Sequence, residues 1–200
     1  MGNRFSAVIL AAGESTRLGY DKLSLPLGTE TILEHTIAKF LIDSVDEIII
    51  VTGRFIPECR SSITSPKVQW LHNPDYTLGM SSSIKKGVGR LGGSSDAVFI
   101  TPADIPLFRA ATVQMMIAAF TPSKIIIPAY KGKKGHPVLL DIDLARQCLR
   151  TQSDKVLYDV IKKNQNAVEL LPVEDEGILL DIDTAEDYEE LKKYYAKLLH

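Results

Sequence analysis

Several separated stretches of this chain carry side chains suited to phosphate and metal chemistry. In residues 7–26, AVILAAGESTRLGYDKLSLP, an apolar run (Ala7, Val8, Ile9, Leu10) stops at the small residues Ala11, Ala12 and Gly13. Ser15, Arg17, Gly19 and Lys22 follow before any new hydrophobic pattern begins. Small residues let a backbone come close to a ligand, and exposed N–H groups with two cations supply a positive field. The chemistry on offer is a grip on a phosphate chain. Taken residue by residue, the same loop also fits a plain strand-to-helix connection with solvent-facing cations. It is neither a P-loop nor the glycine fingerprint of dinucleotide folds, because neither spacing occurs within this loop.

The carboxylates lie elsewhere. In Thr101-Pro102-Ala103-Asp104-Ile105-Pro106-Leu107 two prolines bracket an aspartate and bias its loop toward extended backbone. A carboxylate held that way suits a hard divalent cation bridging nucleotide phosphates, and it also suits a turn or a helix cap. Asp183, in Leu180-Asp181-Ile182-Asp183-Thr184, precedes an N-cap residue. It reads as a second metal carboxylate or as a helix-start acid, the latter worth about 0.3–1 kcal/mol without any ligand. Gly79-Met80-Ser81-Ser82-Ser83 opens a helix with three hydroxyls, which serve an anion, a base edge or the helix itself. Lys131-Gly132-Lys133-Lys134-Gly135-His136-Pro137 reads as a flexible basic loop, either a solvated turn or a cover for a phosphorylated substrate. His136 has no carboxylate or cysteine partner in sequence, so no metal-ligand or general-base role is assigned to it.

The elements that must position these residues alternate along the chain. Apolar, Ile/Val-rich runs predict strands at 5–10, 47–51, 68–71, 97–100, 124–128, 137–140 and 167–172. Several lack polar alternation, as strands buried on both faces do. Helical patterns fill 32–41, 82–91, 110–120, 144–149, 155–163 and 185–199, with Thr184, Glu186 and Asp187 as start signals for the last. This order implies a mainly parallel α/β sheet covered on both sides. The link between 128 and 137 is too short for a crossover helix, so the strand after it should pair antiparallel with its predecessor. In such sheets ligands bind beyond the carboxyl ends of the strands, where the loops above should lie.

Composition narrows the class. Two hundred residues suit one domain, 1–200, with a sizeable core. A net charge of -2 argues against general nucleic-acid binding. No apolar stretch has membrane-spanning length, and no signal-peptide core precedes the first strand. Gly2 fits a loose myristoylation pattern, but a strand begins almost at once and no second anchor follows. Cys59 and Cys148 stand far apart without ligand spacing, as reduced cysteines of a cytoplasmic protein would.

Leu10-Ala11-Ala12-Gly13-x-Ser15-x-Arg17-x-Gly19-x-x-Lys22, followed by Leu25-Pro26-Leu27-Gly28, resembles the signature of the MobA-like nucleotidyltransferases. Gly79 to Ser83, Pro102 to Pro106, Gly135-His136-Pro137 and Asp181-Ile182-Asp183-Thr184-x-Glu186-Asp187 look like the later blocks of its molybdenum cofactor cytidylyltransferase branch, in the same order. The likeness covers nearly the whole chain. It implies a three-layer Rossmann-like nucleotidyltransferase fold, mostly parallel with one antiparallel strand. It also implies Mg2+-dependent transfer of CMP from CTP to molybdopterin with release of pyrophosphate, and transient contact with a molybdenum hydroxylase. By residue, it implies catalytic roles for Arg17, Lys22 and Asp104. Nucleotide contacts would come from Leu10, Ala11, Ala12, Gly13, Ser15, Arg17, Lys22, Gly79, Met80, Ser81 and Asp104. Ser82, Ser83 and His136 would touch the acceptor, and Asp104 and Asp183 would hold the metal. Related guanylyltransferases usually carry a second glycine where this chain has Ala12, which favours CTP over GTP. Two further readings stand beside this one: transfer to another phosphorylated small molecule, and a non-catalytic carrier of the cofactor. Intact Arg17, Lys22, Asp104 and Asp183 favour the enzymes over the carrier.

Overall fold

A computed structural model describes residues 2–13, 21–54 and 58–199. The strands are β1 (Phe5–Ala11), β2 (Pro26–Leu27), β3 (Glu30–Thr31), β4 (Val45–Thr52), β5 (Val68–His72), β6 (Ala97–Pro102), β7 (Ile125–Tyr130), β8 (Lys133–Lys134), β9 (Val138–Asp141) and β10 (Val168–Pro172). The helices are α1 (Ile32–Ala38), α2 (Met80–Arg90), α3 (Ala110–Ala119), α4 (Ile142–Arg150), α5 (Val156–Lys163) and α6 (Ala185–Leu198). Every strand and helix expected from the apolar patterning is present.

The main sheet runs β10-β7-β9-β6-β1-β4-β5, with β8 paired to β7. β9 is antiparallel to both β6 and β7, as the short connection requires, and the other neighbours along the main order are parallel. The apolar runs lack alternation because both faces are covered. Ala7, Ile9 and Ala11 of β1 pack with residues of α1, α3 and α6, while Val8 and Leu10 pack with residues of α2, α4 and α5. Three layers result. Ile9, Ile48, Ile49, Ile50, Phe99 and Ile100 are fully enclosed, each worth about 1.5–3 kcal/mol of burial. No helix among the described residues is long and apolar enough to cross a membrane.

Local chemistry adjusts the expected boundaries. Gly79, at φ 91°, is the N-cap of α2, so the helix begins at Met80 rather than at residue 82. Asp141 caps α4 directly after β9, its side chain accepting from Asp143 N, and that helix therefore starts at Ile142. The basic segment read as a flexible loop is a hairpin. β8 pairs with β7 through Ala129–Lys134 and Tyr130–Lys133, and the turn carries positive φ at Lys131 and Gly132.

After β1 the chain fills positions to one side of it (β4, β5) and then crosses to the other (β6). This reversal sets the loops after β1 and β6 side by side. Leu10 is in register with Pro102, and Ala103 N donates to Leu10 O at 3.0 Å.

Candidate functional site

At this reversal the Asp104 loop is pinned from two sides. Besides its bond to Leu10, Ala103 accepts at its carbonyl from Thr36 Oγ1 (2.8 Å), a hydroxyl buried on α1. Leu10 and Ala11 are buried at the end of β1, Ala12 is half-buried and Gly13 is exposed. Ser15, Arg17 and Gly19 lie outside the described residues. The Asp21 carboxylate accepts from Leu23 N (3.1 Å) and Ser24 Oγ (2.8 Å) and so starts the short turn Lys22–Ser24.

Lys22 joins three remote segments. Its ammonium lies 2.6 Å from Asp104 Oδ2 and 3.3 Å from Asp183 Oδ1, and it donates to the Ile182 carbonyl at 2.5 Å. Its side chain is only 13% exposed, against 20% for Asp104 and 53% for Asp183. Burial pulls the Lys22 pKa down, but the two carboxylates outweigh it and hold the group above its ordinary value. The cation is therefore permanent at physiological pH. Asp181 lies in the same field, and burial together with the charges of Asp104, Asp183 and Asp187 raises its pKa.

Asp183 is placed by the start of α6. Thr184 and Asp187 form a capping box, and Asp187 Oδ2 accepts from both Thr184 N (2.7 Å) and Asp183 N (3.0 Å). The preceding segment acts as a strut. Asp175, wholly buried, accepts from Arg109 N (2.7 Å), Thr112 Oγ1 (2.5 Å) and Gly177 N (3.1 Å), tying the strut to the start of α3 just past the Asp104 loop. Gly177 sits so close to the Leu107 carbonyl that a Cβ there would overlap it. Ile178 accepts from His136 N at 3.0 Å. Burial lowers the pKa of His136 despite the pull of Asp104 and Asp181, and its Nδ1 is enclosed without a hydrogen-bond partner among the described residues.

The turn at 79–83 is built differently. Ser81, buried, accepts from Val156 N at 3.0 Å. Asn73 Nδ2 donates to Ser82 Oγ (2.9 Å) and to buried Ser83 Oγ (3.0 Å). Ser82 Oγ lies 2.8 Å from both the Asp75 and Gly79 carbonyls, either of which can accept its hydroxyl proton. The hydroxyls thus bond within the protein, while Gly79 and Met80 are exposed at the rim.

The structure brings Lys22, Asp104 and Asp183 into contact, with His136 in reach of their field. Ser81, Ser82 and Ser83 belong to the separate turn. The sequence alone did not single out the Ile182 carbonyl, Asp175 or Asn73, nor the way Asp187 holds Asp183. Asp187 was legible as a helix-start acid, and Asn73 stood in a turn-like Asn-Pro-Asp; Asp175 carried no signal.

The oxygen donors of Asp104 and Asp183 fit a hard cation such as Mg2+. Among the described residues no group of three or more His, Cys, Asp or Glu could hold a metal. Two carboxylates would leave the other positions of such a cation to water and substrate phosphates.

The family model described as MobA-like NTP transferase domain matches residues 7–168. The chain is 29% identical over 193 residues to the molybdenum cofactor cytidylyltransferase of Escherichia coli (strain K12), covering 96% of this chain and 97% of that protein. It is 27% identical over 209 residues to a probable molybdenum cofactor guanylyltransferase of Carboxydothermus hydrogenoformans, covering 96% of each. Among solved structures, a nucleotidyl transferase from Methanothermobacter thermautotroptrophicus superimposes with a TM-score of 0.83 at 25% identity, over 98% of this chain and all of that one.

Proposed function

This chain belongs to the MobA-like NTP transferase family and is a nucleotidyltransferase; we propose that it transfers CMP from CTP to molybdopterin with release of pyrophosphate. The observation that carries this reading is the Lys22 ammonium seated between Asp104 and Asp183 at the switch point of the sheet.

Transfer at a phosphorus centre needs positioning and charge neutralisation more than covalent help. A terminal phosphate oxygen of the acceptor attacks the α-phosphorus of the nucleotide, the bond from that phosphorus to the bridging oxygen breaks, and pyrophosphate leaves. The attacking monoester has a second pKa of about 6, so it is largely ionised near neutrality and no general base is required. That agrees with leaving His136 outside general-base chemistry. Lys22, with Arg17, neutralises charge gathering on the departing pyrophosphate. Asp104 and Asp183 would hold Mg2+, which when bound acts as a Lewis acid on the α-phosphate. Nucleotide contacts would come from Leu10, Ala11, Ala12, Gly13 and Ser15 in the first loop and from Gly79, Met80 and Ser81 in the second. His136, whose enclosed Nδ1 has no partner among the described residues, would contact the acceptor. Ser82 and Ser83 would also contact the acceptor, from a turn that their bonds to Asn73 shape. A molybdenum hydroxylase would receive the product, in the cytoplasm.

A second reading, guanylyl transfer, is favoured by the likeness to relatives named for GTP chemistry and opposed by Ala12. Incubation with Mg2+, molybdopterin and either CTP or GTP, scored by pyrophosphate release, tests both. Release with CTP well above GTP is expected. Release with GTP alone moves the chain to guanylyl transfer, and release with neither removes molybdopterin nucleotidylation.

A further inference from the structure

Lys22 lies where a divalent ion held by Asp104 and Asp183 would have to bind. Resting on the metal-binding reading of those carboxylates, we infer that Lys22 is an internal cation that competes with the metal for them. Metal then binds tightly only when a triphosphate has drawn the ammonium away.

The geometry leaves little room for both. Nζ is 2.6 Å from Asp104 Oδ2 and 3.3 Å from Asp183 Oδ1, and it bonds to the main-chain carbonyl of Ile182 between them. Mg2+ demands near-octahedral oxygens at about 2.0–2.1 Å, so an ion bridging these two carboxylates would crowd the space the ammonium already fills. Two cations sharing one pair of carboxylates also repel each other at close range, in a site where Lys22 is mostly shielded from water.

The exchange keeps the carboxylates compensated: a divalent ion replaces the ammonium beside them, and the ammonium meets the triphosphate. Asp181 and Asp187 add to the negative field around Asp104 and Asp183. Withdrawing Lys22 without a replacement would leave partly buried carboxylates uncompensated, which is costly. Lysine suits this duty because its ammonium is a compact charge on a flexible four-carbon stem, able to turn from carboxylate to phosphate. Metal and triphosphate then favour one another's binding through the protein, beyond the affinity they have for each other in solution.

Mn2+ binding to the nucleotide-free protein, followed by loss of the free-ion electron paramagnetic resonance signal, tests this directly. Lys22→Met and Lys22→Gln should each bind Mn2+ at least about tenfold tighter than wild type, within the usual range of coupling between sites. Lys22→Arg, which keeps a cation, should stay close to wild type. Adding Asp104→Asn to Lys22→Met should abolish the gain. Thermal melts identify which variants are folded, and either neutral variant suffices. Mn2+ affinity equal to or below wild type in a folded neutral variant overturns the inference, as does a gain that survives Asp104→Asn. No nucleotide or acceptor is present, so its failure is separate from failure of the proposed transfer reaction, which pyrophosphate release alone decides.

Discussion

Two regions at the carboxyl edge of the sheet look equally polar in the sequence and are built on opposite plans. The Lys22 corner is assembled from three segments more than 75 residues apart, and its ionic groups converge on one another. The turn from Gly79 to Ser83 is contiguous, and its hydroxyls bond to Asn73, Asp75, Gly79 and Val156. Convergent charge that the fold has drawn together from a distance is costly unless something uses it. A run of serines at a helix start needs no ligand to explain it. The first region should therefore govern turnover at saturating nucleotide, and the second should govern stability and, through Gly79, Met80 and Ser81, nucleotide binding.

The sharpest way to break that division is Lys22→Ala. It should lower turnover at saturating nucleotide by about two to three orders of magnitude, in line with loss of a key transition-state donor. Near wild-type pyrophosphate release would remove Lys22 from the chemistry. Asn73→Ala probes the other region, leaving the Ser82 and Ser83 hydroxyls without their donor. It should cost about 1–3 kcal/mol in denaturant unfolding while the folded enzyme keeps most of its turnover. A fall in turnover matching that of Lys22→Ala, with unfolding unchanged, would erase the distinction.

Asp187→Ala should act on both quantities, more gently. Losing half of the capping box costs about 0.5–2 kcal/mol, and freeing the Asp183 backbone should raise the metal concentration needed for half-maximal rate. An unchanged metal requirement would show that Asp183 holds its place without Asp187.

The smallest effect concerns Cys148, buried in the helical layer that includes α2. Burial lifts its thiol from 9.0 to about 11. The unfolded chain loses that proton first as pH rises past 9, so the folded state loses stability over the window from 9 to 11. Native Cys148 should resist a thiol reagent at pH 8. Asn73→Ala should speed its labelling by loosening the α2 layer, whereas Lys22→Ala should not.

The fold was legible because burial on both faces of the sheet writes unbroken Ile and Val runs into β1, β4, β6 and β7. The antiparallel β9 followed from chain length alone, since no crossover fits between 128 and 137. The hairpin at Lys131 to Lys134 was missed, since its lysines mask the paired backbone. Of the site, Lys22, Asp104 and Asp183 could each be named as suited to phosphate or metal. Their contact could not be read, because it depends on which strands become neighbours. Asp175 shows the limit most plainly. As one more acid between Glu174 and Glu176 it gave no sign that it would be wholly buried and anchor α3.

If the Lys22, Asp104 and Asp183 corner performs nucleotidyl transfer, neutralising one of its carboxylates should stop the reaction. Pyrophosphate release by Asp104→Asn beside wild type, with CTP, Mg2+ and molybdopterin all saturating, tests it most directly. The expected result is robust release by wild type and a loss of at least about a hundredfold in the variant, as for removal of a principal charge-stabilising group. Release by a folded Asp104→Asn enzyme at near wild-type rate would contradict it.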